Sequence, residues 1–230
     1  MSAEWEFLIT LNEQHRPLRD PLEIQEVALR LIGEHLHASR VNFAYIDGDD
    51  FAISRAYAAD VPPFSGRAPL ERVGRAGVDA CRRGETLVVS DVNTDPRIAP
   101  GERDQLLAQQ TVSFVCVPLI KDGQWLAAFE IETTVPRVWT PEQLALIELT
   151  ATRTWGVGER ARAEEALGRT ENRQAFLRRL NEAIRPLGDP VSIIKETGRL
   201  IGSYLRFLRA NVDNARCRKY PPLFFPDKVT

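Results

Sequence analysis

Residues 113–134 read Ser113-Phe114-Val115-Cys116-Val117-Pro118-Leu119-Ile120, then Lys121-Asp122-Gly123-Gln124, then Trp125-Leu126-Ala127-Ala128-Phe129-Glu130-Ile131-Glu132-Thr133-Thr134. Two runs rich in β-branched and aromatic residues flank a four-residue turn, the pattern of a β-hairpin. Alternation along the second run puts Trp125, Ala127, Phe129 and Ile131 on one face and Leu126, Ala128, Glu130 and Glu132 on the other. In the first run Val115, Val117 and Leu119 alternate with Phe114, Cys116 and Pro118. One face is wholly apolar and suited to packing under helices. The other, carrying Phe114, Cys116 and Glu130, can line a concavity.

Working outward, residues 3–15 read as a short helix, and Asp20-Pro21 opens a longer one through about Leu36, with Asp20 as N-cap and Pro21 at the first helical position. Val41–Ile46, the turn Asp47-Gly48-Asp49-Asp50 and Phe51–Ala58 form another hairpin. A Pro- and Gly-containing loop from Pro62 to Pro69 leads to a weakly helical stretch, Leu70–Arg83, and a short strand, Thr86–Ser90. Turn-forming residues 91–97 precede a helix over Glu102–Gln110. After the central hairpin, Thr140-Pro141-Glu142 caps a long helix that can run to Arg185, with Gly156 or Gly158 as a hinge. Hairpins mixed with helices favour an α+β fold with an antiparallel sheet of five to six strands over a parallel doubly wound one.

The chain also begins a second time. Phe7, Leu8, Leu11, Asn12, Glu13, Arg16, Pro17, Leu18, Asp20 and Pro21 recur at an offset of 169 as Phe176, Leu177, Leu180, Asn181, Glu182, Arg185, Pro186, Leu187, Asp189 and Pro190. Ile24, Arg30, Leu31, Ile32, Gly33 and Leu36 continue the match to Ile193, Arg199, Leu200, Ile201, Gly202 and Leu205. A fixed offset points to tandem copies of one unit. With 230 residues, the second copy has space only for its helical start. Its similarity stops near Asn211, where a strand is due, and a frameshift or early truncation is the expectation for residues 212–230.

A net charge of -2 and a pI near 6.0 argue against a nucleic-acid surface. Three cysteines, Cys81, Cys116 and Cys217, with no CxxC pairing, fit reduced thiols, hence a cytoplasmic location, rather than a disulfide framework or zinc site. No apolar run is long enough for a membrane segment, and the acidic N-terminus is unlike a signal peptide.

The motifs Leu36-x-Ala38-Ser39-Arg40-Val41, Gly84-Glu85-Thr86-Leu87-Val88-Val89-Ser90-Asp91-Val92, Val117-Pro118-Leu119-Ile120 and Phe129-Glu130-Ile131-Glu132 resemble a GAF domain over roughly residues 7–160. The resemblance implies terminal helices over one face of the sheet and a ligand pocket over the other. Residues 153–164 resemble the junction after a GAF domain in proteobacterial sensor histidine kinases, which implies a sensory module linked to further sensory or kinase domains. The expected organisation is a GAF-like domain over 1–160, a helical linker over 161–175, the helical start of a truncated second copy over 176–211, and an aberrant, disordered tail over 212–230.

Candidate ligand-binding residues are Glu130, Phe114, Cys116 and Asp91. A mid-sheet carboxylate is costly to bury without a donor; the alternative is a face partly solvated at Glu130. Phe114 and Cys116 can equally be packing residues, and Asp91 an Asx-turn residue. Known GAF activities are opposed by missing residues. The Asn-Lys-x-x-Phe-x-x-x-Asp-Glu motif of cyclic-nucleotide-binding relatives has no match in Asn93–Gln110. Bilin attachment commonly uses a Cys followed by His, and haem ligation a pocket His, yet no histidine follows His37. Free methionine-R-sulfoxide reductases carry Cys and His before the Val-Pro-Leu strand; here Ile98-Ala99-Pro100-Gly101-Glu102-Arg103 has neither, Phe114 replaces a glutamate, and Cys81 has no resolving partner in the loop. His15 in His15-Arg16-Pro17-Leu18 faintly resembles a kinase phosphoacceptor, but the second copy has Ile184 there. No catalytic residue, metal ligand or cofactor is therefore expected.

The reading is a non-catalytic sensory domain that binds a small-molecule ligand or acts as a dimerising input module for a kinase or other output, with a ligand-free dimerisation scaffold as the alternative and the reductase as a third. A seam of Leu144, Ile147, Ala151, Thr154, Gly158 and Ala161 has coiled-coil spacing, suited to a homodimer through terminal helices or to packing on the domain's own sheet.

Overall fold

Asp20 Oδ1 accepts a hydrogen bond from the Leu22 N–H at 2.8 Å, and Pro21 occupies the first turn, so the chain leaves helix α1 (Ala3–His15) and starts α2 (Pro21–Leu36) where the sequence indicates. His15, at the end of α1, is buried with Nε2 3.1 Å from the Ile24 carbonyl, and burial lowers its pKa. It joins the two helices as a structural residue. Helix α2 ends on His37 in the left-handed region (φ 50°), with the Ala38 N–H donating to the Gly33 carbonyl at 2.9 Å.

These elements belong to a computed structural model that describes residues 3–70 and 74–216, with side chains through residue 206. The chain divides into two units at Arg162/Ala163. The first contains β1 (Arg40–Asp47), β2 (Asp50–Ala58), β3 (Gly66–Pro69), α3 (Arg75–Arg82), β4 (Leu87–Val89), α4 (Pro100–Ala108), β5 (Ser113–Lys121) and β6 (Gln124–Thr133). The strands form one antiparallel sheet in the order β3-β2-β1-β6-β5-β4. This is the α+β class expected, with β1 and β6 at its centre.

The apolar face of the sheet, including Val41, Phe43, Val115, Val117, Leu119, Ala127, Phe129 and Ile131, packs with Phe7 and Leu11 of α1, Ala28, Leu29, Ile32 and Leu36 of α2, and Leu146, Ile147 and Ala151 of α5 (Pro141–Ile184). A second cluster on the opposite face joins Phe114, Cys116 and Ala128 to Leu87, Val89, Val92, Ile98 and Cys81.

Three local readings are corrected. The register shifts between Leu119 and Ile120, where Leu119 pairs with Ala127 but Ile120 pairs with Trp125. This bulge breaks the alternation, so Trp125 packs with the Cys116 and Ala128 cluster instead of following Ala127 and Phe129. Residues 66–69, expected as loop, form edge strand β3; Arg67 Nη1 and Nε reach Asp47 Oδ2 and Asp50 Oδ2 at 2.7 and 2.8 Å. Helix α5 runs through Gly156 and Gly158 without a break, and the stripe Ile147, Ala151, Thr154, Gly158 and Ala161 is buried, with Leu144 half-buried against the core.

In the second unit, α5 is followed by α6 (Pro190–Arg216), whose Asp189 cap accepts from the Ser192 N–H at 2.8 Å. Phe176 and Tyr204 stack with centroids 4.1 Å apart. Cys217 and the rest of residues 217–230, most of the stretch expected to depart from the repeat, lie outside the described residues.

A Cβ on Gly33 would lie 2.4 Å from the Tyr57 ring, so α2 crosses β2 at a distance only glycine permits. Gly33→Ala is expected to cost about 1–3 kcal/mol through overpacking. Gly202→Ala, at the repeat position where the nearest atom is 3.9 Å away, is expected to leave urea unfolding of the first unit unchanged.

Candidate functional site

The period-2 geometry of strands gathers the polar groups of the second face into two cross-strand rows. Cys116, Glu130 and Asn42 form one; Phe114, Glu132 and Arg40 form the next. Arg40 and Glu132 are fully buried and joined at 2.6 Å between Nη1 and Oε2. The guanidinium also donates to the Pro62 carbonyl at 3.1 Å and the Gln109 carbonyl at 3.0 Å, and lies 3.6 Å over the Phe64 ring. Thr111 donates its hydroxyl to Glu132 Oε2.

Asn42, 1% exposed, donates from Nδ2 to Glu132 Oε1 at 2.7 Å and, more weakly, to Glu130 Oε2 at 3.4 Å. Its Oδ1 is the one buried side-chain polar atom among the described residues without a hydrogen-bond partner. Turning the amide would aim that oxygen at the Glu132 carboxylate 2.7 Å away, so the network itself selects the orientation.

Glu130 keeps part of its surface, which opens into a cavity, although protein surrounds the carboxyl as closely as in a core. Burial, then the neighbouring Glu132 charge, pushes the Glu130 carboxyl well above the usual carboxylate range. Burial also raises Glu132, with Arg40 the largest opposing influence. The arrangement holds an ionised Glu132 against Arg40 and a neutral Glu130 beside it. The Cys116 thiol, 3.8 Å from the buried Cys81 thiol, is likewise held high, by Cys81 and by burial.

The cavity, about 50 Å³, has Asn42, Glu130 and Cys116 on its floor and Phe51, Ile53 and Trp125 among its walls. That is room for a few waters. Of the residues singled out in the sequence, Glu130 and Cys116 come together here. Phe114 is buried in the adjoining apolar cluster, outside the lining. Asp91 is also outside it; its Oδ1 accepts from the Asn93 N–H at 2.9 Å in an Asx turn. Sequence reasoning missed Arg40 and Asn42. Their signal is the alternation of polar residues 40 and 42 with apolar 41 and 43, in step with Glu130 and Glu132 across the central strand pair.

An antiparallel sheet covered by helices on one face and carrying a small, acid-floored cavity on the other defines a compact α+β domain class. The chain belongs to the GAF domain family, whose pattern it matches over residues 20–156. A sequence comparison with curated proteins gives no match. Solved structures share the fold. The chromophore-binding domain of an unusual bacteriophytochrome from R. palustris is 12% identical over 68% of this chain and 62% of that one, with a TM-score of 0.58. The blue-light absorbing form of the PixJ GAF domain from Thermosynechococcus elongatus is 20% identical over 66% and 92%, with a TM-score of 0.55. The free methionine-R-sulfoxide reductase from Neisseria meningitidis, in complex with its substrate, is 18% identical over 69% and 91%, with a TM-score of 0.53. The chain thus spans under two thirds of the bacteriophytochrome structure.

Arg40→Leu leaves the Glu132 carboxylate buried without its partner and is expected to cost about 3–5 kcal/mol in urea unfolding, with part of the loss recovered by adding Glu132→Leu. A cost below about 1 kcal/mol would show that the pair is dispensable.

Glu130 gives a second expectation, with a sign set by its raised folded-state pKa. Above about 4.5, the ordinary value for a glutamate, the unfolded state ionises while the folded state stays neutral, so this residue's contribution to stability is lost as pH rises. The neutral isostere Glu130→Gln should therefore gain stability over the parent as pH increases from 4.5 to 7. Comparing the two proteins by urea titration cancels the opposite dependence of His15, whose lowered pKa favours folding at higher pH.

Proposed function

We propose that the chain is a non-catalytic sensory GAF domain that binds a small molecule in the cavity above Asn42, Cys116 and Glu130. The observation that carries this reading is a cavity lined by Glu130, Asn42 and Cys116, in which the Glu130 carboxyl keeps part of its surface and has no counter-ion of its own. Burying a carboxyl without a counter-ion is costly, and one that keeps part of its surface on a cavity is suited to a polar ligand. Cysteines and a histidine in a reductase-like loop are lacking, and Cys81 and Cys116 are both buried, which supports a sensory over a catalytic role.

The second half of the proposal is an input module for a histidine kinase or similar output, acting as a homodimer through terminal helices in the cytoplasm. The repeat of the α1–α2 signature across the end of α5 and into α6 supports a tandem sensory array. The seam up to Ala161 is already buried within the first unit, so dimer contacts would fall on later residues, where Leu167 and Leu177 are exposed.

A ligand-free scaffold is the second reading, favoured by the cavity's size: drug-sized ligands occupy roughly 300–1,000 Å³, and a bilin would need the walls to part. Native mass spectrometry of the purified chain, followed by a thermal-shift screen of metabolites, separates the two. Sensing predicts a co-purified molecule or a Tm rise of several degrees that Phe51→Ala abolishes. An empty protein indifferent to the whole screen would establish the scaffold.

A further inference from the structure

On the reading that the cavity binds a ligand, we propose that it is built for a small organic cation: a primary ammonium group on a short apolar body. The buried cluster beneath it holds two carboxyls, Glu130 and Glu132, against one guanidinium, Arg40. With both acids ionised, the cluster has one excess negative charge in a region poor in water. In the empty domain a proton on Glu130 balances the count. A bound ammonium ion balances it equally well and frees Glu130 to ionise.

The hydrogen-bonding inventory points the same way. Asn42 Oδ1 is an acceptor with no donor, while Nδ2 is committed to Glu132 at 2.7 Å. An ionised Glu130 adds acceptors beside it. An ammonium group carries three donors and no acceptor, matching this floor. A carboxylate or phosphate ligand would need donors that are already used: Arg40 donates to Glu132, Thr111, Pro62 and Gln109, the Trp125 indole N–H donates to the Ala127 carbonyl at 2.9 Å, and the proton of a neutral Glu130 is shared with Glu132.

The walls complete the assignment. Phe51 and Trp125 place two aromatic rings around the cavity, with Ile46 and Ile53 supplying aliphatic surface. Aromatic faces attract a desolvated cation. A cavity of about 50 Å³ limits the body to a few heavy atoms. The groups facing Glu130 are Glu132 on its own strand, Asn42 and Arg40 on β1, Cys116 on β5 and Cys81 on α3, and Arg40 is the one permanent cation among them, bound to Glu132. Binding of the cation therefore releases the Glu130 proton.

The test is calorimetric titration of the full chain at pH 7 with n-propylammonium chloride, propionamide and sodium propionate, repeated in two buffers of different ionisation enthalpy. The expected result is binding of propylammonium at least tenfold tighter than the amide or the acid, with about one proton released per amine bound. Glu130→Gln should weaken the amine at least tenfold with an unchanged circular dichroism spectrum. Phe51→Leu, remote from the ionic cluster, should weaken it as well and serves if Glu130→Gln misfolds. Equal or tighter binding of propionamide, or binding without proton release, overturns the cation assignment and leaves ligand sensing standing. If all three probes fail but a metabolite from the thermal-shift screen binds, the cation assignment again falls alone. Failure of probes and screen together overturns both.

Discussion

The contact between Arg40 and Glu132 ties together parts of the first unit that are distant in sequence. It spans the two central strands, and its remaining donors reach the Pro62 carbonyl after β2 and the Gln109 carbonyl after α4. Two connections are thereby pinned to the middle of the sheet. Burying such a pair is costly unless every remaining donor is used, and here the guanidinium is matched on all sides. The same commitment governs the cavity next door. Because Arg40 is spent on Glu132, the adjacent Glu130 has no counter-ion of its own and is kept neutral, and the Asn42 amide is turned so that its oxygen is left over.

Much of the fold was legible from local signals. Asp20-Pro21 and Thr140-Pro141 announce helix starts through capping chemistry, and the alternation of Val115, Val117, Phe129 and Ile131 marks the buried face. Where the reading failed, the cause is specific. Residues 66–69 carry a glycine and a proline and pair along one edge only, so their strand character comes from β2 and not from propensity. Trp125 changes face because a bulge inserts one residue, and nothing in the run Trp125-Leu126-Ala127-Ala128 signals it. In the site, Glu130 stood out because a carboxylate interrupts an apolar run. Arg40 and Asn42 became meaningful only once β1 was registered against β6, a pairing of residues about ninety positions apart that no local pattern encodes.

The repeat separates what a sequence carries from what its surroundings supply. Ile32 and Leu36 are buried at 0% and 6% exposure beneath the sheet of the first unit; their counterparts Ile201 and Leu205 are 40% and 57% exposed. Helix formation survives the change, since Asp189-Pro190 caps α6 as Asp20-Pro21 caps α2. Burial does not, because it belongs to the sheet. Gly33 makes the same point: the glycine recurs as Gly202, but among the described residues only Gly33 lies against an aromatic ring.

The bulge that redirects Trp125 also gives the domain a built-in optical probe. Of the four indoles, Trp5 is exposed, Trp139 and Trp155 belong to the helix-covered core, and Trp125 alone borders the cavity. A change of polarity or charge beside Glu130 therefore reaches one chromophore and spares three. Substituting the other three would leave a protein whose ultraviolet emission reports directly on what occupies the space above the buried acids.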